Sequence, residues 1–193
     1  CSRDWSSDVC SSDLNADLAN DLGNLVSRAT TMVHRYCGGV VPAPGALDAL
    51  DTDLRAEAAS VIADVLGEFD RCQTSAALQR TWDLVRSVNQ YIVRREPWTL
   101  AKSPDKRALL ETTLYHAADM LRVIAALIEP VMPSTVGRIR AMLGADPESW
   151  TALAPATLTP GTVMGPTEPL FPRLEITVED LRAMANPEST APD

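Results

Sequence analysis

Two short constellations in this chain could bind a ligand through hydrogen bonds and ring stacking. Asn24 and Arg28 stand four apart, so on a helix they share one face about a turn apart, offset from the apolar stripe of Leu22, Leu25 and Val26. An amide and a guanidinium so placed can serve the donor and acceptor edges of an unstacked base. An exposed polar pair with no ligand is the plainer alternative. Pro97-Trp98 follows Arg94 and Arg95, and Lys102, Lys106 and Arg107 come close behind. A tryptophan at a helix end either packs inward or, amid cations, offers its ring as a stacking platform. Arg94, Arg95, Lys102, Lys106 and Arg107 are then candidate phosphate contacts.

Other chemistry is poorly supported. The chain has no G-x-S-x-G, no phosphate-cradling glycine-rich loop and no nucleophile with a nearby base, so no catalytic residue is expected. Cys1, Cys10, Cys37 and Cys72 lack paired ligand spacing, and His34 and His116 fall in separate helical runs, so no metal site is expected and the thiols read as reduced. No stretch reaches the roughly 18 apolar residues of a membrane span, and no basic region precedes an apolar one at the start. A soluble, non-secreted chain with no membrane partner is the expectation.

The net charge of −9 argues against a polyanionic partner only until it is divided by segment. Residues 1–14 carry −2, residues 146–193 carry −6, and the body between them is near neutral at −1. Within that body residues 86–107 carry +4. A local basic face is enough to steer phosphate.

These groups must be positioned by helices. Leu18, Leu22, Leu25, Val26, Ala29, Met32 and Val33 recur at helical steps over about 15–36, stopped by Gly38-Gly39. A second run, about 52–70, places Leu54, Ala58, Val61, Ile62, Val65, Leu66 and Phe69 on one face. A third begins near Thr74 or Ser75, carries Leu78, Trp82, Val85, Val88 and Ile92, and must end before Pro97. Ser103-Pro104 opens a fourth, from Leu109 to Ile128, and a fifth covers 136–143 before Gly144. No segment alternates long enough for a strand, so the fold class is all-α, an antiparallel bundle of about five helices. Eight of the 14 prolines lie in residues 147–192, and the segment Pro155 to Pro172 adds Gly161 and Gly165, which predicts an extended strap across the bundle there; Thr177 and Asp180, at a capping spacing before Leu181 and Met184, predict one short terminal helix.

The expected organisation is a head at 1–14, a helical domain at 15–175, and a short helix with a disordered acidic tail at 176–193. The head, CSRDWSSDVCSSDL, differs in composition from the rest of the chain. It resembles translated sequencing-adapter read-through, so it reads as artefactual on a truncated fragment.

Five motifs in order carry a family resemblance: N-A-D-L-A-N-D-L-G-N-L-V-S-R at 15–28, N-Q-Y-I at 89–92, E-P-W-T-L-A-K at 96–102, I-E-P-V-M-P at 128–133 and L-F-P-R-L at 170–174. Together they resemble the C-terminal anticodon-binding domain of methionyl-tRNA synthetases, over about 15–175. The resemblance implies a class I synthetase anticodon-binding bundle that grips the CAU anticodon loop of methionine tRNA in the cytoplasm. It implies that Asn24 and Arg28 hydrogen-bond anticodon bases and that Trp98, beside Pro97, stacks under the first one. Asn89 and Tyr91 would be inter-helix hydrogen-bonding groups, Phe171 core, and Arg173 a contact to the catalytic domain. That catalytic half, with its HIGH-like and KMSKS-like signatures and its sites for methionine and for ATP with Mg, has no counterpart in this sequence. The chain alone is therefore expected to bind tRNA, hold no cofactor and catalyse nothing, although the parent would be a methionine-tRNA ligase. Two alternatives remain open. One is a helical protein-interaction module anchored by Trp98 and the strap; the other is the corresponding domain of a synthetase for cysteine, valine, leucine or isoleucine.

Overall fold

The computed structural model describes residues 15–171, and over that span the apolar periodicity becomes helices. The first helix, α1 (Asn24–Cys37), is entered through a π-helical lead, Asn15–Gly23. The single helix expected over 15–36 is thus wound more widely in its first half. Gly23 sits at the junction, where a Cβ would lie 3.1 Å from the Leu18 carbonyl oxygen and 3.3 Å from the Phe171 ring. Leu25, Val26, Ala29 and Val33 of α1 are buried, and the helix closes at left-handed Gly38.

Helix α2 (Ala49–Asp70) starts three residues before the predicted 52 because Asp48 and Asp51 form a capping box. The Asp48 carboxylate accepts from the Leu50 and Asp51 amides, and the Asp51 carboxylate accepts from the Asp48 amide. Aspartate at both positions does the work usually assigned to Ser or Thr followed by Glu or Gln. Helix α3 (Thr74–Arg95) stops ahead of Pro97, as proline requires. Pro97 then opens a single extra turn, α4 (Pro97–Leu100), too short for periodicity to reveal. A 3-10 turn, Pro104–Lys106, leads into α5 (Arg107–Ile128). Helix α6 (Pro133–Leu143) has Pro133 in its first turn and ends at left-handed Gly144. The five long helices make the all-α bundle the sequence predicts.

Helix α5 is the centre of the molecule. Every residue from Thr112 to Ile128 is buried, which requires neighbours on all sides, and α1, α2, α3 and α6 supply them. Each fully buried Leu or Ile here contributes about 1.5–3 kcal/mol of transfer free energy. Its threonines avoid an unsatisfied hydroxyl by donating back along the helix, Thr112 to the Ala108 carbonyl at 2.9 Å and Thr113 to that of Leu109 at 2.8 Å.

The predicted strap follows α6. It has no helical or sheet ladder, so side chains satisfy much of its backbone. Buried Asp119 accepts from the Ala156 amide at 2.5 Å and the Leu158 amide at 3.0 Å, while Arg122 donates to Asp119 at 2.9 Å and to the Ala154 carbonyl at 2.6 Å. Tyr115 donates to the Leu158 carbonyl at 2.9 Å. Farther along, Gly161 donates to the Val41 carbonyl (2.8 Å), Val41 to that of Thr162 (2.9 Å) and Met164 to that of Gly39 (2.8 Å). These bonds lay the strap beside the loop after α1, with one antiparallel bridge between Val40 and Val163. The crossing is close: a Cβ on Gly144, whose φ is 65°, would stand 2.3 Å from the Val163 carbonyl oxygen. The head at 1–14, Arg173, and the short helix and tail at 176–193 lie outside the described residues. Among the described residues no helix is long and apolar enough to cross a membrane.

Candidate nucleic-acid interface

The two constellations separated by seventy residues of sequence meet in space. The Arg28 guanidinium carbon lies 5.8 Å from the centroid of the Trp98 ring, within the range of a cation–π contact. Arg28 is half-buried, whereas the Trp98 ring is 40% exposed and Pro97 beside it is buried. Of the inward and outward alternatives for this tryptophan, the structure takes the outward one. An indole exposed by this much retains surface on which a base can stack.

Its placement depends on an unusual turn. Glu96 adopts left-handed geometry, φ 46° and ψ 58°, which a residue bearing a Cβ enters only at an energetic cost. The turn is held by the Glu96 amide donating to the Ile92 carbonyl, and by the Thr99 and Leu100 amides donating to the Glu96 carbonyl at 2.7 and 3.1 Å. The chain thereby leaves α3, reverses at one residue, and presents Trp98 on the first turn of α4.

Arg95, immediately before that turn, is not a phosphate contact. It is buried, and its guanidinium makes a fork on Asp48 at 2.6 and 2.5 Å and reaches Asp51 at 2.5 Å. Tyr91, one turn earlier, donates to the same Asp51 oxygen at 2.7 Å, and the Arg95 guanidinium lies over the Tyr91 ring at 5.2 Å. Burial opposes the charge on Arg95, but hydrogen bonds to Asp48 and Asp51 outweigh it and hold the guanidinium firmly protonated. In return the hydrogen bond from Arg95 holds the Asp48 carboxyl below its ordinary range. The sequence expectation for Arg95 is therefore corrected: its charge is already matched inside the fold.

The other predicted cations remain on the surface. Arg94, Lys102 and Lys106 are exposed and form no ion pair among the described residues. Arg107 is exposed but engaged with Glu111 at 2.6 Å, with the Cys37 sulfur 4.0 Å away. Asn24 is exposed and lines an open groove of about 620 Å³ together with Asn20, Ser27, Thr167 and Glu168. The structure thus brings Arg28, Pro97 and Trp98 together, with Asn24 one helical turn away at a groove walled by the strap. Arg138 of α6 fixes that wall by donating to the carbonyls of Leu170 at 2.8 Å and Pro169 at 2.7 Å.

Asn89 and Tyr91 do join elements, as expected: Asn89 donates to the Asp21 carbonyl at 3.2 Å and Tyr91 to Asp51. Phe171 is partly buried against the core. Sequence reasoning misses Asp48 and Asp51, although their spacing ahead of an apolar run is a legible capping signal. The left-handed state of Glu96 has no sequence signal beyond its place before proline.

Comparison with known proteins bears on what such a site binds. A family model described as the anticodon binding domain of methionyl tRNA ligase matches residues 41–186. A methionine–tRNA ligase of Enterococcus faecalis is 41% identical over 170 residues, 86% of this chain and 25% of the relative. One from Mycobacterium leprae is 37% identical over 166 residues, 84% of this chain and 31% of that protein. Among solved structures, the free-state Mycobacterium tuberculosis methionyl-tRNA synthetase superposes with a TM-score of 0.82 at 37% identity, covering 89% of this chain and 35% of that one. The same enzyme in complex with methionyl-adenylate also gives 0.82. The chain spans about a quarter to a third of the length of these relatives.

Proposed function

We propose, from the premise that this chain belongs to the family of methionyl-tRNA ligase anticodon-binding domains, that it grips the anticodon loop of methionine tRNA and reads its CAU triplet. The observation that carries this reading is the Arg28–Trp98 contact, a guanidinium and a partly exposed indole brought together from α1 and α4. The first anticodon base would stack on Trp98 beside Pro97. Asn24 and Arg28 would hydrogen-bond base edges, and Arg94, Lys102, Lys106 and Arg107 would hold phosphates. Arg95 would act from inside.

In this reading the domain works within a longer cytoplasmic enzyme that attaches methionine to its tRNA using ATP with Mg. ATP and Mg are assigned to a catalytic domain rather than to this chain. Among the described residues no three His, Cys, Asp or Glu side chains stand together to hold a metal ion, and in this reading the side chains of this chain take no step of the catalysis. Their part is to bind one end of the tRNA and, through a partner catalytic domain, to orient the other.

The test is titration of the chain with anticodon stem-loops bearing CAU or a scrambled triplet, at low and moderate salt. Preferential binding of CAU that weakens as salt rises is expected, because phosphate contacts release counterions. Equal affinity for both loops, or affinity indifferent to salt, overturns the reading in favour of a protein-binding surface.

A further inference from the structure

The ion cluster at the junction of α2 and α3 lies directly behind the turn that carries Trp98. Arg95 is the last residue of α3, and its fork fixes it to the N-cap of α2. Asp51, with a side-chain exposure of 0%, collects donors from Arg95, Tyr91 and the Asp48 amide. The next residue, Glu96, is left-handed, and two residues on stands Trp98. A helix whose last side chain was free to fray would let this strained residue relax and swing the indole away from Arg28.

We propose that Asp48, Asp51, Tyr91 and Arg95 are positioning residues for Trp98: the cluster holds the end of α3 so that the left-handed turn persists and the indole stays against Arg28 before RNA arrives. This explains why a cation in the middle of a basic stretch is buried rather than offered to phosphate. Preorganising the indole lowers the ordering that binding would otherwise require. The consequence for RNA affinity rests on the anticodon reading; the consequence for the placement of Trp98 does not.

The experiment uses the full 193-residue chain labelled with fluorotryptophan and followed by fluorine NMR, with the Trp98 resonance assigned from Trp98→Phe. Removing Arg95 alone would strand a buried carboxylate and threaten the fold, so the variant pairs Arg95→Met with Asp51→Asn. The expected result is a shifted or broadened Trp98 resonance with those of Trp82 and Trp150 in place. Affinity for the CAU stem-loop falls about fivefold or more, the low end of what one stacked base contributes. Adding Trp98→Ala then lowers affinity no further than Trp98→Ala alone. Arg95→Lys, which keeps charge and loses the fork, falls between. A Trp98 resonance that does not move, or Trp82 and Trp150 resonances that move with it, overturns the proposal, as does an affinity loss that multiplies with that of Trp98→Ala. Failure of the wild-type chain to bind either stem-loop removes the anticodon reading, and the fluorine spectrum still decides the positioning role.

Discussion

Asp51 and Asp119 are both carboxylates with 0% exposure bonded to an arginine, yet they hold opposite kinds of structure. Asp51 joins two helix ends that already have most of their backbone bonds, and it sets the direction in which the chain leaves them. Asp119 projects from the middle of α5 and serves a strap with almost no ladder of its own, accepting from two of its amides. The difference teaches that a buried acid can replace secondary structure or can aim it. In the first use its loss should appear as stability, in the second chiefly as function.

Breaking the first use gives the largest expected effect. Asp119→Ala orphans the Ala156 and Leu158 amides and part of the Arg122 guanidinium, and should cost about 3–5 kcal/mol in urea denaturation, with hydrogen exchange accelerated first at those two amides. A loss below about 1 kcal/mol would mean that the strap is held by its apolar contacts at Leu153, Leu158 and Met164 instead. Gly144→Ala attacks the same strap from α6, combining a left-handed φ with the contact to the Val163 carbonyl, for an expected loss of about 2–3 kcal/mol by thermal melting.

The aiming region is sharpened by Trp98→Ala, which should lower CAU stem-loop affinity by about 1–3 kcal/mol while changing stability by no more than about 0.5 kcal/mol. A large stability loss would place Trp98 with the strap-holding group instead. The smallest effect is one of pH. His116 is buried in α5 with neither ring nitrogen hydrogen-bonded among the described residues, and burial pushes its pKa below 6.5, against the pull of Asp51 and Asp119. A depressed histidine favours the neutral form in the fold. Its contribution is fully present above pH 6.5 and is lost as pH falls toward the depressed value. Stability measured from pH 7 to 5 should therefore decline less steeply in His116→Leu than in wild type.

The helices are readable in the sequence because long apolar stripes at steps of three and four have few other meanings, and the strap because prolines exclude a helix. What sequence does not supply is pairing across distance. Arg95 stands among five cations with nothing to mark it as the inward one, since its partners lie 44 and 47 residues back. The meeting of Arg28 with Trp98 is equally non-local, and only the ordered motifs anticipate that the two share a role. Periodicity alone places the start of α2 too late, because the Asp48–Asp51 box lies ahead of the first apolar repeat, although its signal is local and present.

The left-handed residue at Glu96 has a consequence for anyone improving this protein. A screen for thermal tolerance would favour Glu96→Gly, because glycine enters that geometry without penalty. The same exchange would give the linker before Pro97 many more conformations, and the tryptophan would spend less of its time where a base can find it. Selection for hardiness and selection for decoding would then pull this single position toward different amino acids.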